Sequence, residues 1–156
     1  MSFSRKINCP YCMTANRIPA EALSEHPICE ACGRDMFAAR PVELDAGSFQ
    51  DQVLEHEQPV LVDFWAPWCG PCKAMEPAFE QAALAMESKV RFARLNTDEA
   101  QELAGHYGVR SIPTMILFSD GTEVARHSGA MMSGMIEAWL DEQLAHADDA
   151  QQVPLG

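Results

Sequence analysis

Nowhere in the 156 residues do eighteen apolar side chains run together, so nothing in the chain reads as a bilayer-spanning helix. Basic residues are scarce. Eleven Lys and Arg stand against 23 Asp and Glu, a formal net charge of −12. Nucleic-acid binding needs clustered cations that displace counterions from phosphates, and no basic stripe is present, so that class of partner is set aside. The opening MSFSRKINCPYC lacks an apolar stretch and a small-residue cleavage site, which argues against a secretory signal and for residence in the cytoplasm. Residues 1–40 also lack periodicity and large apolar side chains, and carry Pro10, Pro19, Pro27 and Gly33. A segment this short and this poor in core residues needs a metal, disulfides or a partner to fold.

What the chain does have is six cysteines in three CxxC pairs: Cys9/Cys12, Cys29/Cys32 and Cys69/Cys72. In a reducing compartment such pairs point to metal or redox chemistry rather than to structural disulfides. The first two pairs follow the pattern C-x2-C-x16-C-x2-C, which suits a tetrahedral zinc site of four thiolates closed by two tight knuckles. Backbone N–H groups at Tyr11, Ala31 and Gly33 are placed to donate to the sulfurs. His26 is redundant beside four well-spaced cysteines. The spacing predicts one zinc ion on Cys9, Cys12, Cys29 and Cys32. A structural role and a redox-sensing role, with two disulfides forming as the metal leaves, both remain open.

From Pro41 onward, strand-like and helix-like segments alternate, as in an α/β fold. PVLVDFWA (59–66) reads as a buried central strand, and Pro71 to Ser88 as a long helix interrupted by Pro77, where a kink is expected. Ser48 is predicted to cap a short helix through about Glu55. Val90–Asn96 reads as a strand, Asp98 starts a helix ending near Gly105–Gly108, and Asp120-Gly121 joins two β-prone runs into a hairpin. Met135, Ile136, Trp139, Leu140 and Leu144 mark a last amphipathic helix after Ser133. The divisions expected are a zinc module over 1–40, an α/β domain over 41–147 and a disordered tail over 148–156.

Cys69 sits where the central strand yields to the long helix, so its sulfur faces the unpaired N–H groups of a helix N-terminus, which favour a thiolate. Cys69 is the predicted nucleophile. Cys72, one helical turn later, is the shielded resolving thiol. Pro71 sets the first helical turn and Gly70 lets a partner backbone approach. Asp63, within VLVDFW, is buried among apolar neighbours, where its ionised form is disfavoured. It reads either as the proton acceptor and donor for Cys72 or as a hydrogen-bonded structural acid.

WCGPC at 68–72, preceded by VDFWA at 62–66, resembles the thioredoxin family, and the likeness spans about residues 42–147. The N-terminal extension resembles the zinc-bearing thioredoxin-2 subgroup of bacteria. The resemblance implies a thioredoxin fold, a central mixed sheet flanked by helices, with a small zinc-ribbon-like module before it. A lowered thiol pKa in the CxxC group is a known property of that family and comes with the likeness. So does an activity: reduction of protein disulfides by a monomer carrying a redox-active Cys69–Cys72 disulfide and no organic cofactor, recharged by an NADPH-dependent thioredoxin reductase. In the same way SIPT (111–114) implies a cis Ile112-Pro113 bond whose backbone receives an extended substrate. Trp68, Gly129 and Ala130 then complete the apolar contact surface, with Trp65 as packing. Asp63 matches the family's buried aspartate, while Arg94 stands where lysine is common. Two other functions stay open: disulfide oxidant or isomerase, and a zinc-dependent binding module on a thioredoxin scaffold.

Overall fold

A computed structural model describes residues 4–152. Two short strands, β1 (Ser4–Asn8) and β2 (Ala15–Pro19), pair antiparallel in the N-terminal module. They enclose a small cluster of Ile7, Cys9, Ile18, Cys29 and Met36. Neither strand is announced by the composition of this segment. With two of five buried members being cysteines, the sulfur cluster serves as much of the core.

The remainder builds a five-stranded sheet in the order β3 (Val42–Leu44), β5 (Arg91–Asn96), β4 (Val60–Trp65), β6 (Thr114–Ser119), β7 (Thr122–Ser128). β4 runs parallel to β5 and antiparallel to β6, so the sheet is mixed as expected. One face is covered by α1 (Gly70–Met86) and α3 (Ser133–Gln152), whose buried residues meet Leu61, Phe92, Met115 and Leu117. In α1 the buried side chains Met75, Ala78, Phe79, Ala82, Ala83 and Met86 fall at three- and four-residue steps, the stripe that makes this segment a helix lying on a sheet. The helix runs without interruption through Pro77, which lies on its exposed side. The other face packs Val62, Phe64, Leu95, Ile116 and Phe118 against Phe49 and Val53 and the short α2 (Gln101–His106). Each large side chain buried this way contributes about 2 kcal/mol.

The turn at Asp120-Gly121 has φ of 51° and 78°, the pair of left-handed residues that a tight hairpin requires. Gly121 is obligatory for a second reason: a Cβ there would lie 2.7 Å from the Leu54 carbonyl oxygen. Two expectations are corrected. The segment after β3 is a π-turn over Gln50–Leu54, and its entry is organised by Asp45, whose carboxylate accepts from the Ser48 N–H while the Ser48 hydroxyl accepts from the Asp45 N–H. Ser48 therefore closes a reciprocal cap as its fourth residue, and Asp45 opens it. α2 starts at Gln101 rather than Asp98. α3 runs to Gln152, and the end of the expected tail, residues 153–156, lies outside the described residues.

The module is joined to the sheet by a buried polar network. Arg91, at the start of β5, is wholly enclosed and donates to the carbonyls of Asn8 (2.5 Å) and Met36 (2.9 Å) and to Gln52 Oε1 (3.0 Å). Burial lowers it to about 10, which leaves it charged at neutral pH. Gln52 donates in turn to the Cys9 carbonyl at 2.9 Å. His56 Nδ1 accepts the Asn8 N–H (3.1 Å), so its Nε2–H donates to Gln58 Oε1 (3.2 Å). Burial, aided by Arg91, holds His56 well below its usual pKa and thus neutral. Buried acceptors are costly when left unpaired. Arg91→Met should therefore cost about 3 kcal/mol in urea unfolding, with amide exchange accelerating first around Asn8 and Met36. Unchanged stability and exchange would show that Arg91 does not hold the module in place.

Candidate redox site and metal centre

Cys69 and Cys72 are joined as a disulfide, with Cα atoms 5.3 Å apart across the first turn of α1. Cys69 occupies the N-cap position with extended backbone, and its sulfur accepts the Cys72 N–H at 3.2 Å. The strand β4 delivers it there: Trp65 ends β4, and the Cys69 N–H returns to the Ala66 carbonyl at 3.1 Å. A sulfur in this position faces the positive end of the helix, which stabilises a thiolate once the disulfide is opened. Cys69 is 4% exposed and Cys72 0%. Both cysteines are thus buried, Cys72 completely.

Asp63 and Leu61 share the face of β4 that meets α1, so the carboxyl lies on the helix side of the sheet. Both its oxygens are buried without a hydrogen-bond partner. The parallel register sets Arg94 beside it, with Nε 3.8 Å from Oδ2. Burial outweighs the pull of Arg94 and raises the carboxyl to about 7. Arg94 stacks over the Trp65 ring at 4.1 Å, which assigns that tryptophan to packing.

Around the disulfide, the Ile112–Pro113 peptide is cis and the Ile112 carbonyl oxygen lies 3.7 Å from Cys69 Sγ. Gly129, with φ of 104°, donates its N–H to the Pro113 carbonyl at 2.8 Å, bringing the segment that carries Ala130 alongside that loop. Trp68 is 71% exposed, and its Nε1–H donates to the Asp98 carboxylate at 3.1 Å. Gly70 has open space where a Cβ would stand, and Pro71 lies in the first turn of α1.

The four N-terminal cysteines converge with all sulfurs within 4.8 Å of one another. Cys9 and Cys32 are 3.7 Å apart and Cys12 and Cys29 3.6 Å. A tetrahedron with zinc–sulfur bonds of ~2.3 Å sets its sulfurs about 3.8 Å apart, so the cluster fits that ion. The two knuckles match step for step. Cys9 and Cys29 carbonyls accept from Met13 and Gly33, both with positive φ, and the Cys9 and Cys29 sulfurs accept from Tyr11 (3.4 Å) and Ala31 (3.4 Å). Gly33 thus shapes the turn and does not donate to sulfur. Cys12 N–H on Cys9 and the Asn16 amide on Cys29 are further sulfur donors that the spacing did not reveal. The Cys32 N–H above all, with Asn16 and Ala31, lowers the Cys29 thiol to about 6, while burial pushes Cys9 up to about 11. A divalent cation is the group that offsets a second buried thiolate. His26 is exposed and lies 3.9 Å from Asp35, away from the cluster.

The family model described as Thioredoxin matches residues 40–142. The chain belongs to the thioredoxin family. A second model, Thioredoxin 2, N-terminal, a zinc ribbon, matches residues 8–34. The chain is 42% identical to Thioredoxin C-3 of Corynebacterium nephridii over 138 residues, covering 88% of this chain and 94% of that one. It is 44% identical to a thioredoxin of Synechocystis over 108 residues, 69% of this chain and all of the relative. Thioredoxin M4, chloroplastic, of Arabidopsis thaliana is 38% identical over 83% of this chain and 67% of its own length. This thioredoxin is a thiol–disulfide oxidoreductase with the Cys pair in place at its helix start. Among the described residues no helix is long and apolar enough to cross a membrane.

The buried acid gives the thioredoxin a pH-dependent stability. Its pKa is raised above the unfolded value of 3.8, so the folded state disfavours ionisation; the penalty is absent below pH 3.8, grows between there and about 7, and is full above. Asp63→Asn should stabilise the oxidised protein at pH 8 by an amount on the order of 3–4 kcal/mol, and by nothing at pH 3.5. Equal stability of the two proteins at both pH values in chemical denaturation would contradict the burial account.

Proposed function

We propose that this thioredoxin reduces disulfides of client proteins and is recharged by an NADPH-dependent thioredoxin reductase, in the cytoplasm. The observation that carries the reading is the Cys69 sulfur capping α1 with the Cys72 N–H upon it. Reduced Cys69 attacks one sulfur of the client disulfide, forming a mixed disulfide and releasing one client thiolate. Cys72, having given its proton to Asp63, then attacks the Cys69 sulfur. The second client thiolate leaves, two electrons have passed to the client, and Cys69–Cys72 is oxidised. Trp68, Gly70, Pro71, Ile112, Pro113, Gly129 and Ala130 form the surface on which the client lies. The exposed indole of Trp68 and the Ile112 carbonyl beside Cys69 support that assignment.

Residues 1–40 act as a module that holds one zinc ion through Cys9, Cys12, Cys29 and Cys32, and 41–147 as the catalytic domain. The ion supplies fold-stabilising cross-linking where apolar burial is slight; the sulfur separations support it.

One assay tests both halves: NADPH-coupled disulfide reduction, with zinc quantified in the same preparations. Cys69→Ser should fall to background while keeping one zinc per chain, and Cys72→Ser should accumulate the mixed disulfide. Activity that survives Cys69→Ser would instead favour a binding module. A wild-type protein that is folded and active without zinc would overturn the metal assignment.

A further inference from the structure

Arg94 is not a private partner of Asp63. The register that pairs Asp63 of β4 with Arg94 of β5 also pairs Glu43 of β3 with Arg94, so one row across the sheet holds carboxylate, guanidinium, carboxylate. Glu43 Oε1 is 3.1 Å from Arg94 NH1, and Glu76 of α1 reaches the same nitrogen at 3.8 Å. Asp63 is left with the Nε edge at 3.8 Å, without a hydrogen bond to either oxygen. The guanidinium is therefore held by its outer end, while the Trp65 ring beneath fixes its plane. That outer end opens into a cleft of about 430 Å³ lined by Glu43, Glu76 and Arg94 and walled on its far side by Pro10 and Tyr11 of the N-terminal module.

We propose that Glu43 and Glu76 are positioning residues for Asp63: by anchoring Arg94 at its outer end they keep its charge shared, and leave the Asp63 carboxyl free to take and return the Cys72 proton. Burial already outweighs the pull of Arg94 on the Asp63 carboxyl, and carboxylates that share the cation weaken that pull further. With two further carboxylates on the same cation, the surroundings of Asp63 carry a net charge of −1, and the neutral acid is retained near neutrality. The functional consequence rests on the reading of Asp63 as the proton acceptor for Cys72; the electrostatic arrangement does not. The charged groups facing Asp63 are Arg94 from β5, Glu43 from β3 and Glu76 from α1; β6 sets the uncharged Met115 opposite it. Glu80 of α1 and Arg40 line the cleft farther out. Glu43 and Glu76 are 63% and 40% exposed, so solvent screens each of them, and a glutamine at either place keeps an amide oxygen to accept from buried Arg94.

The test is a carbon-13 NMR titration of the Asp63 carboxyl in the full-length, zinc-loaded, oxidised protein. Glu43→Gln and Glu76→Gln should each move the midpoint down by about half a unit, and the double variant by about one. Glu76→Asp, which keeps the charge, should restore most of the shift. A midpoint in the double variant equal to or above that of the wild type overturns the proposal, and the single variants decide it should the double variant not fold. The pH profile of disulfide reduction is read beside it. Its acid limb should follow the titration to lower pH in the Glu variants and vanish in Asp63→Asn. A profile that Asp63→Asn leaves unchanged would remove the proton-transfer role of Asp63 while the titration still decides the role of the two glutamates.

Discussion

Everything in this thioredoxin is arranged around one contact, the N–H of Cys72 pointing at the sulfur of Cys69 across the first turn of α1. A helix N-terminus offers unpaired N–H groups, and a sulfur that caps it gains charge stabilisation without a buried cation. For that cap to work, β4 must end beside the start of α1 and the long helix must be pinned to the sheet. The stripe from Met75 to Met86 against Leu61, Phe92 and Leu117 does the pinning. The Met131 N–H, resting on the Met75 sulfur at 3.5 Å, ties the start of α3 to the same helix.

β5 carries two buried arginines three residues apart, and the alternation of a strand sends them to opposite faces. Arg94 goes to the α1 side and sits beside the buried Asp63 carboxyl. Arg91 goes to the other side and holds the polypeptide on either side of the cysteine cluster, at Asn8 and Met36. The two charges are satisfied differently, Arg94 by carboxylates and Arg91 by neutral oxygens, and this sets what each can do. Arg94 tunes a proton affinity; Arg91 is a fixed clasp, joining a module with little apolar core to a sheet that has ample core.

Local chemistry made much of this legible. CxxC spacing, the apolar run 59–66, the Asp-Gly turn and the helical stripe of α1 each report their own structure, because the interactions behind them lie within a few residues. Long-range register was not legible. Glu43 becomes a neighbour of Arg94 only through the parallel pairing of β3 with β5, and Arg91 reads as an ordinary charge at a strand start until the N-terminal module covers it. Asp98, partner of the Trp68 indole, was likewise hidden: its distance of 30 residues carries no periodic signal. Asp45 takes the opening place of the cap that the sequence reading gives to Ser48, because both are good capping residues and only backbone geometry chooses between them.

The most direct measurement is alkylation of the reduced, folded protein by iodoacetamide at pH 7, with the modified residue located by mass spectrometry. A sulfur that caps α1 should react first at Cys69, well ahead of buried Cys72 and faster than an ordinary thiol of pKa about 8.5. A folded protein whose Cys69 stays unmodified, or is modified no faster than Cys72, would contradict the account.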